Sequence, residues 1–336
     1  MIHWDLAMKA RERNYTENQI DSIHQKYLAV NASDYIIEAA KNTRMLIINE
    51  AHHNSSHRVF TKSLLQELYD QGYKNLGLEA LGNGVYLDTL LNSRKHPILT
   101  TGHYTKDPQF GDFIREALEI GYNVFPYENM GEGTATQREI TQARNIEKVF
   151  NSKPDEKFLI HCGFDHALEG THRSWEKAMA GRITEYTGID PLTINQVVYS
   201  ERSKPEFNHP LLKALDITVP SVLLDKENQP LQYTRGEAWT DIAVFHPQTK
   251  YINNRPHWLF EHGNNNVPIT LSDINIEFPI MVLAYKKGED ISVAVPKDLT
   301  EIQNKTDTCH LALKNGNYDI VITNGIQSFT FDKHVK

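Results

Sequence analysis

Residues 45–48 constrain the fold most, because these four apolar residues lead directly into a cluster of polar side chains. A short apolar run bounded by polar residues is typical of a strand that is buried on both faces of a parallel sheet. Ligands and catalytic groups of such sheets gather just beyond the carboxyl ends of the strands. Glu50, His52, His53 and His57 follow this run, and we therefore expect a functional site at its end.

The same pattern, a short apolar run separated from the next by a helix-like stretch, recurs along residues 45–199. Further strands are predicted within 75–81, 122–128, 157–163 and 192–199. Repeated strand–helix–strand units predict the α/β class, with a mainly parallel central sheet flanked by helices.

Two helices are also predicted, one before this repeat and one within it. Apolar spacing indicates a helix within residues 16–40. Thr134 or Thr136 can cap another over residues 137–151, with Glu139 placed to complete a capping box with Thr136.

The C-terminal part of the chain has a different character. From Phe278 onward, short alternating runs are separated by turn residues such as Gly288, Asn315 and Gly316, which indicates β-hairpins. We therefore divide the chain into an α/β domain, residues 1–271, and a small β appendage, residues 272–336.

Composition excludes several classes of partner. The formal net charge is −8, from 35 Lys and Arg against 43 Asp and Glu, which argues against a nucleic-acid partner. No apolar run approaches the roughly 18 residues needed for a membrane span. Residues 1–13 lack the apolar centre of a signal peptide. We expect a soluble protein, either cytoplasmic or exported with its signal already removed; its oligomeric state is left open.

The predicted strand ends bring polar residues to one edge of the sheet. Glu79 ends the second strand, Tyr127 and Glu128 the third, and Asp165 with His166 the fourth. Two histidines and one or two carboxylates can hold a divalent metal, and the same groups without metal can act as general acid and base. The residues alone leave open whether the site holds a metal ion or works without one. Arg138 would neutralise the carboxylates or stabilise an anionic intermediate.

These motifs together resemble the erythromycin esterase, ChaN-like and Tiki/TraB superfamily. The resemblance covers about residues 44–200 and is carried by four segments. They are Asn-Glu-Ala-His-His-Asn-Ser-Ser-His at 49–57, Gly-Leu-Glu at 77–79, the run from Arg138 to Asn145, and Gly-Phe-Asp-His at 163–166. The chain departs from the family pattern at Asn49, where a glycine precedes the glutamate. His52 matches the Gly-x-x-His and ChaN-like spacing and His53 the esterase spacing; we favour His52.

The branches of this superfamily imply different chemistry. Esterase-like members are hydrolases in which a histidine activates water. Tiki-like members are metal-dependent proteases, which implies His52, Glu79 and His166 as metal ligands. ChaN-like members bind haem, and here His57 and Tyr127 are the candidate cofactor-binding residues.

Our leading prediction is a hydrolase of an ester or amide bond in a small-molecule or peptide substrate, metal-assisted or metal-free. Its candidate catalytic residues are Glu50, His52, His53, Glu79, Arg138 and His166. The alternative is a ChaN-like haem- or metal-binding protein without turnover. A third reading is a site that has decayed into a binding module through changes such as Asn49.

Overall fold

A computed structural model describes residues 14–272 and 274–336 of the chain. The predicted absence of a signal peptide in residues 1–13 therefore lies outside the described residues. The nine α-helices within the described residues are α1 (Glu17–Lys26), α2 (Ala32–Ala39), α3 (Ser56–Ser63), α4 (Leu65–Asp70), α5 (Leu91–Arg94), α6 (Pro108–Ile120), α7 (Ala135–Asn151), α8 (Met179–Thr187) and α9 (Pro210–Lys213).

Strands make up five sheets in the described part of the chain. Those of the α/β region are β1 (Leu28–Asn31), β2 (Met45–Glu50), β3 (Tyr73–Leu78), β4 (Asn123–Pro126), β5 (Lys157–Gly163), β6 (Glu169–Gly170), β7 (Leu192–Tyr199), β8 (Ser221–Leu224), β9 (Tyr233–Arg235), β10 (Ala238–Thr240), β11 (Ile242–Phe245), β12 (Tyr251–Ile252) and β13 (Arg255–Pro256). The C-terminal strands are β14 (Asn265–Ile269), β15 (Ile280–Lys286), β16 (Asp298–Ile302), β17 (Cys309–Leu313), β18 (Gly316–Thr323) and β19 (Ser328–Val335).

The central sheet has eight strands in the order β1-β8-β11-β7-β2-β5-β3-β4. The six strands from β11 to β4 pair in parallel, and β8 is antiparallel to both of its neighbours. This confirms the predicted α/β class, with a large, mostly parallel central sheet flanked by helices. The further sheets of the chain are antiparallel.

Strand β2 shows why the sheet is buried on both faces. All six of its residues are buried. Leu46 and Ile48 join one apolar cluster, whereas Met45 and Ile47 join the cluster on the opposite face. Because successive side chains of a strand point to opposite faces, a continuous apolar run is what two covering layers of helices require.

The helix predicted within residues 16–40 is wrong in its middle. Residues 28–31 form β1, which pairs with β8 at the edge of the central sheet. Asn31 then accepts hydrogen bonds from the amides of Ser33 and Asp34 and begins α2. Sheet pairing and this cap therefore divide one apolar periodicity into two helices and a strand.

The C-terminal strands form a β unit that packs against α6. Strand β14 pairs with β17, and Val267 and Ile269 belong to the apolar core of this unit, so it begins upstream of the predicted boundary at 271/272. One face of α6 carries the ion pairs to it. These are Asp112 with Lys297, Arg115 with Glu289, Glu116 with Lys314, and Glu119 with Lys286.

The β unit also reaches the loop that follows α5. Leu99 donates its amide to the carbonyl of Val293 at 2.8 Å, and Ile98 forms a bridge with Ala294. Leu99 lines the cleft described next, so the β unit contributes to the position of one cleft wall.

Candidate active site

The parallel strands of the central sheet deliver polar side chains to one cleft of about 940 Å³. Glu50 is the last residue of β2 and Glu79 directly follows β3. His166 lies in a short 3-10 helix, Phe164–Ala167, that continues from β5. His52, Glu79, Glu128, Arg138 and His166 all line the cleft, as the rule for the carboxyl ends of parallel strands requires.

Glu50 is a buried carboxylate with three basic partners. Arg58 donates two hydrogen bonds to it at 2.7 Å. His161 Nε2 lies 3.0 Å from Oε2 and His52 Nδ1 lies 2.9 Å from Oε1. Burial raises the pKa of Glu50, but the hydrogen bonds from His161, His52 and Arg58 outweigh it and hold the pKa well below its ordinary value. Glu50 is therefore ionised at neutral pH.

His52 is held between an aromatic ring and a glycine. Its ring stacks on Tyr104 with centroids 4.1 Å apart, and Phe164 meets it edge-on. A Cβ atom at Gly163 would lie only 2.3 Å from His52 Cε1 and 2.4 Å from Nε2. Only glycine at position 163 therefore leaves room for this imidazole. No hydrogen-bond partner of His52 Nε2 is found among residues 14–272 and 274–336.

Arg138 connects the carboxylates of the cleft. It donates to Glu79 Oε1 at 2.6 Å and to Glu128 through both Nε and Nη2. Glu79 also accepts the backbone N–H of Gly163. Burial raises the pKa of Glu79, but the charges of His166, Arg138 and His52 outweigh it, and the pKa lies below its ordinary value. The Arg138 side chain is 37 % exposed, so part of its guanidinium faces the cleft.

His166 is oriented by a second carboxylate. Its Nδ1 lies 2.9 Å from Glu139 Oε2, and its Nε2 lies 3.0 Å from Arg138 Nη1 and 3.5 Å from Glu79 Oε1. The ring stacks on Trp175. Burial lowers the pKa of His166, but Glu79 and Glu139 more than offset this and raise the pKa above its ordinary value.

Three predicted residues are not brought into the cleft. His53 is exposed and lines a separate groove. His57 is fully buried: its Nδ1 accepts the amide of Ala51, and its Nε2 lies 2.7 Å from Ser200 Oγ. Tyr127 is also fully buried and donates its hydroxyl to the carbonyl of His161 at 2.8 Å. The predicted cofactor-binding pair, His57 and Tyr127, therefore presents no ligand atom to the cleft.

The predicted metal set of His52, Glu79 and His166 does not fit a metal ion. The described residues contain no group of three or more His, Cys, Asp or Glu side chains arranged as ligands. The guanidinium of Arg138 contacts both Glu79 Oε1 and His166 Nε2. It therefore stands where a cation shared by those two groups would have to lie. Glu79 and His166 are partners of Arg138, whereas His52 is a partner of Glu50.

Sequence reasoning missed Arg58, Tyr104, Glu139 and His161 as parts of the site. The burial of Glu139 could have been predicted from helical spacing. It lies seven residues before Ile146 and four before Ala143, on the buried face of α7. Helix α7 begins at Ala135 with Thr134 as its cap, so the predicted capping box at Thr136 is wrong. The Glu139 carboxylate turns inward to His166 and to the amide of Met179.

No helix in the described ranges, 14–272 and 274–336, is long and apolar enough to cross a membrane.

Comparisons with known proteins found no matching family model and no matching curated protein. Among solved structures, the type III effector HopBA1 is similar over 66 % of this chain and 97 % of its own, with 10 % identity and a TM-score of 0.39. A structure described as bacterial protein toxins covers 56 % of this chain and 41 % of its own, with 15 % identity and a TM-score of 0.36.

The MARTX toxin effector domain RRSP from Vibrio vulnificus CMCP6 covers 54 % of this chain and 37 % of its own, with 16 % identity and a TM-score of 0.34. The chain thus spans less than half the length of these last two structures. TM-scores this low assign neither fold nor function, and the resemblance to the erythromycin esterase, ChaN-like and Tiki/TraB superfamily stays a prediction.

Proposed function

We propose that this protein is a hydrolase that cleaves an ester or amide bond by general acid–base catalysis without a metal ion. The observation that carries the proposal is the pairing of Glu50 with His52 Nδ1 at 2.9 Å. It leaves His52 Nε2 without a protein partner among the described residues, in a cleft that also holds Arg138 and His166. The esterase branch of the resembling superfamily is the branch this arrangement favours.

His52 serves as the base because Glu50 selects its tautomer. An ionised Glu50 can only accept a hydrogen bond, so the proton of neutral His52 resides on Nδ1 and the lone pair on Nε2. A water molecule beside Nε2 would transfer a proton to His52 as its oxygen attacks the substrate carbonyl. Arg58 and His161 hold the carboxylate in place from its other side.

Arg138 and His166 supply the complementary charges. The guanidinium would stabilise the oxyanion that forms when the carbonyl is attacked. The raised pKa of His166 keeps a proton available for the leaving oxygen or nitrogen. In the described geometry Nε2 accepts from Arg138 Nη1, and the His166 proton lies on Nδ1 beside Glu139. A doubly protonated His166 would act as the acid once Arg138 Nη1 has turned from Nε2 to the oxyanion. As the tetrahedral intermediate breaks its bond to the leaving group, Nε2 would then transfer its proton to that group. An acid and an alcohol or amine are released, and solvent then returns His52 and His166 to their starting forms.

The wall of the cleft favours a substrate with an apolar portion. Tyr86, Leu99 and Met130 line it and are each more than 40 % exposed. Exposed apolar side chains grouped at a cleft are typical of a binding surface. A small-molecule ester or a peptide segment with an apolar side fits this surface.

The test is hydrolysis of a panel of 4-nitrophenyl esters and peptide anilides by the purified protein, with and without a chelator. We expect turnover that the chelator leaves unchanged and that falls by about 10²-fold or more in both His52→Ala and Glu79→Gln. Turnover that needs added metal, that survives in His52→Ala, or that is absent on both panels would contradict the proposal. Metal analysis and an absorption spectrum of the same sample test the metal and haem alternatives directly.

A further inference from the structure

A second cavity, of about 240 Å³, lies behind the loop that carries His52. It is enclosed by α3, the residues that follow β7 and β11, and two connecting segments at 218–220 and 257–262. Asn54 of the loop and Ser56, the first residue of α3, line this cavity, whereas His52 lines the catalytic cleft. Among the described residues, none that lines the second cavity also lines the cleft, so the two spaces are separate.

His246 places a hydrogen-bond acceptor in the second cavity. Its Nε2 lies 3.1 Å from Gln196 Oε1, and the Gln196 amide nitrogen donates to the carbonyl of Asn49 and the hydroxyl of Thr61. The Gln196 oxygen is therefore the acceptor, which puts the proton of His246 on Nε2. Burial lowers the pKa of His246 to about 3, so the ring is neutral and Nδ1 keeps its lone pair.

The lone pair of His246 Nδ1 has no donor within the described part of the chain, although the residue is buried. This nitrogen is not one of the fully buried unpartnered atoms of the described residues, so it is open to the cavity and can accept from a bound N–H or O–H group. Because His246 lines the cavity, a molecule inside the cavity is the available source of that donor.

The size and lining of the cavity restrict the ligand. A dry protein cavity of about 150 Å³ accommodates benzene, so the space here suits a ring system of one to two fused rings. Val59, Phe60 and Trp258 give it apolar and aromatic walls. Glu201 and Glu261 also line it, and their charges oppose an anionic ligand.

We propose that the second cavity is a binding site for a small, uncharged aromatic molecule that donates one N–H or O–H hydrogen bond to Nδ1 of His246. The site is independent of the proposed hydrolase activity, because it shares no lining residue with the catalytic cleft in the described chain. Indole serves as the probe, because it is bicyclic and carries a single N–H donor.

The first experiment measures binding of indole, 1-methylindole and indole-3-carboxylate to the full chain by isothermal titration calorimetry and ligand-observed NMR. We expect one saturable indole site. 1-Methylindole, which lacks the donor, is expected to bind about tenfold more weakly, and the anionic carboxylate is expected not to bind. Equal affinities of indole and 1-methylindole, or no saturable indole binding, would overturn the proposal.

Two variants locate the site. Val219 lines the cavity and is 48 % exposed, so Val219→Trp fills the space with little risk to folding and should abolish binding. Ile326→Trp, at an exposed turn of the C-terminal β unit, is the matched control and should bind indole like the parent. In His246→Phe the two indoles should bind equally. Indole binding that persists in Val219→Trp would show that the site lies elsewhere.

Discussion

Glu50 Oε1 lies 2.9 Å from Nδ1 of His52, two residues further along the chain. The two residues span the end of a buried strand and the loop that follows it. Because Arg58 and His161 also bind this carboxylate, Glu50 is fixed and in turn fixes the tautomer and orientation of His52. A base prepared in this way depends on the charge of Glu50 more than on its shape.

Glu50→Gln tests that dependence. The neutral amide no longer stabilises the imidazolium that forms at His52, so we expect kcat to fall about 10²- to 10⁴-fold. Breaking the buried pair with Arg58 should also lower the free energy of unfolding by about 3–5 kcal/mol. Initial rates are therefore measured well below the thermal midpoint of the variant. His53→Gln, at an exposed position outside the cleft, is the control, and a parent-like kcat in Glu50→Gln would refute the role of this pair.

Gly163→Ala tests the position of His52 without removing any functional group. The backbone φ of Gly163 is −88°, which alanine adopts freely, but the added Cβ would meet His52 at 2.3 Å and Glu79 Oε2 at 3.3 Å. We expect the imidazole to be displaced and kcat to fall about 10²-fold, since catalysis is sensitive to displacements of about 1 Å.

Gly181→Ala is the matched control for that substitution. Gly181 lies in α8, and the nearest atoms to a Cβ there are 3.6 Å away. This variant should keep full activity and gain about 0.5–1 kcal/mol in the free energy of unfolding, because alanine is the better helix former. If Gly163→Ala also keeps full activity, the close approach of Gly163 to His52 is not required for catalysis.

The sheet and the convergence of strand ends were predictable from the sequence. Apolar runs reveal buried parallel strands, and parallel strands necessarily bring Glu50, Glu79 and His166 to one edge. The direction in which each side chain points at the strand ends was harder to predict from the sequence. Tyr127 and Glu128 are neighbours in an extended segment and so point to opposite sides. Glu128 therefore reaches Arg138, while Tyr127 turns toward the carbonyl of His161.

Contacts between distant segments were not predictable from the sequence. Tyr104 stacks on His52 from a short 3-10 helix more than fifty residues away, and no local periodicity encodes that approach. The choice between His52 and His53 depended on the same kind of information, because only the folded loop directs one ring toward Glu50 and Tyr104. The position of Arg138 between two of the predicted metal ligands, Glu79 and His166, also depends on a contact between distant segments.

Glu139→Gln tests whether His166 acts as an acid. The negative charge of Glu139 helps to raise the pKa of His166, so its removal should lower that pKa. If His166 donates a proton to the leaving group, the alkaline limb of the profile of kcat/KM against pH then moves to lower pH. An NMR titration of the His166 ring measures the pKa independently. A lower pKa with an unchanged alkaline limb would exclude His166 as the acid.

Glu169 offers a pH test of stability away from the cleft. Thr193 Oγ1 lies 2.7 Å from Glu169 Oε1 and 3.1 Å from Asp241 Oδ2. The single hydroxyl proton of Thr193 cannot be donated to both carboxylates. If Glu169 is protonated, it donates to Thr193 Oγ1, and the Thr193 hydroxyl can then donate its own proton to Asp241. Burial raises the pKa of Glu169 to about 7, which agrees with this arrangement.

The sign of the effect follows from linkage between protonation and folding. Between the ordinary glutamate pKa of 4.5 and the folded value of about 7, the folded chain keeps a proton that the unfolded chain has lost. The contribution of Glu169 to the free energy of unfolding is therefore fully present below pH 4.5 and is lost as the pH rises through 7. The total loss is on the order of 3 kcal/mol. Glu169→Gln, which mimics the protonated side chain, should unfold at a higher urea concentration than the parent at pH 8. Its advantage should shrink toward pH 5, while the exposed control Glu237→Gln should show no such trend. An advantage of the same size at both pH values would mean that Glu169 is ionised in the folded chain.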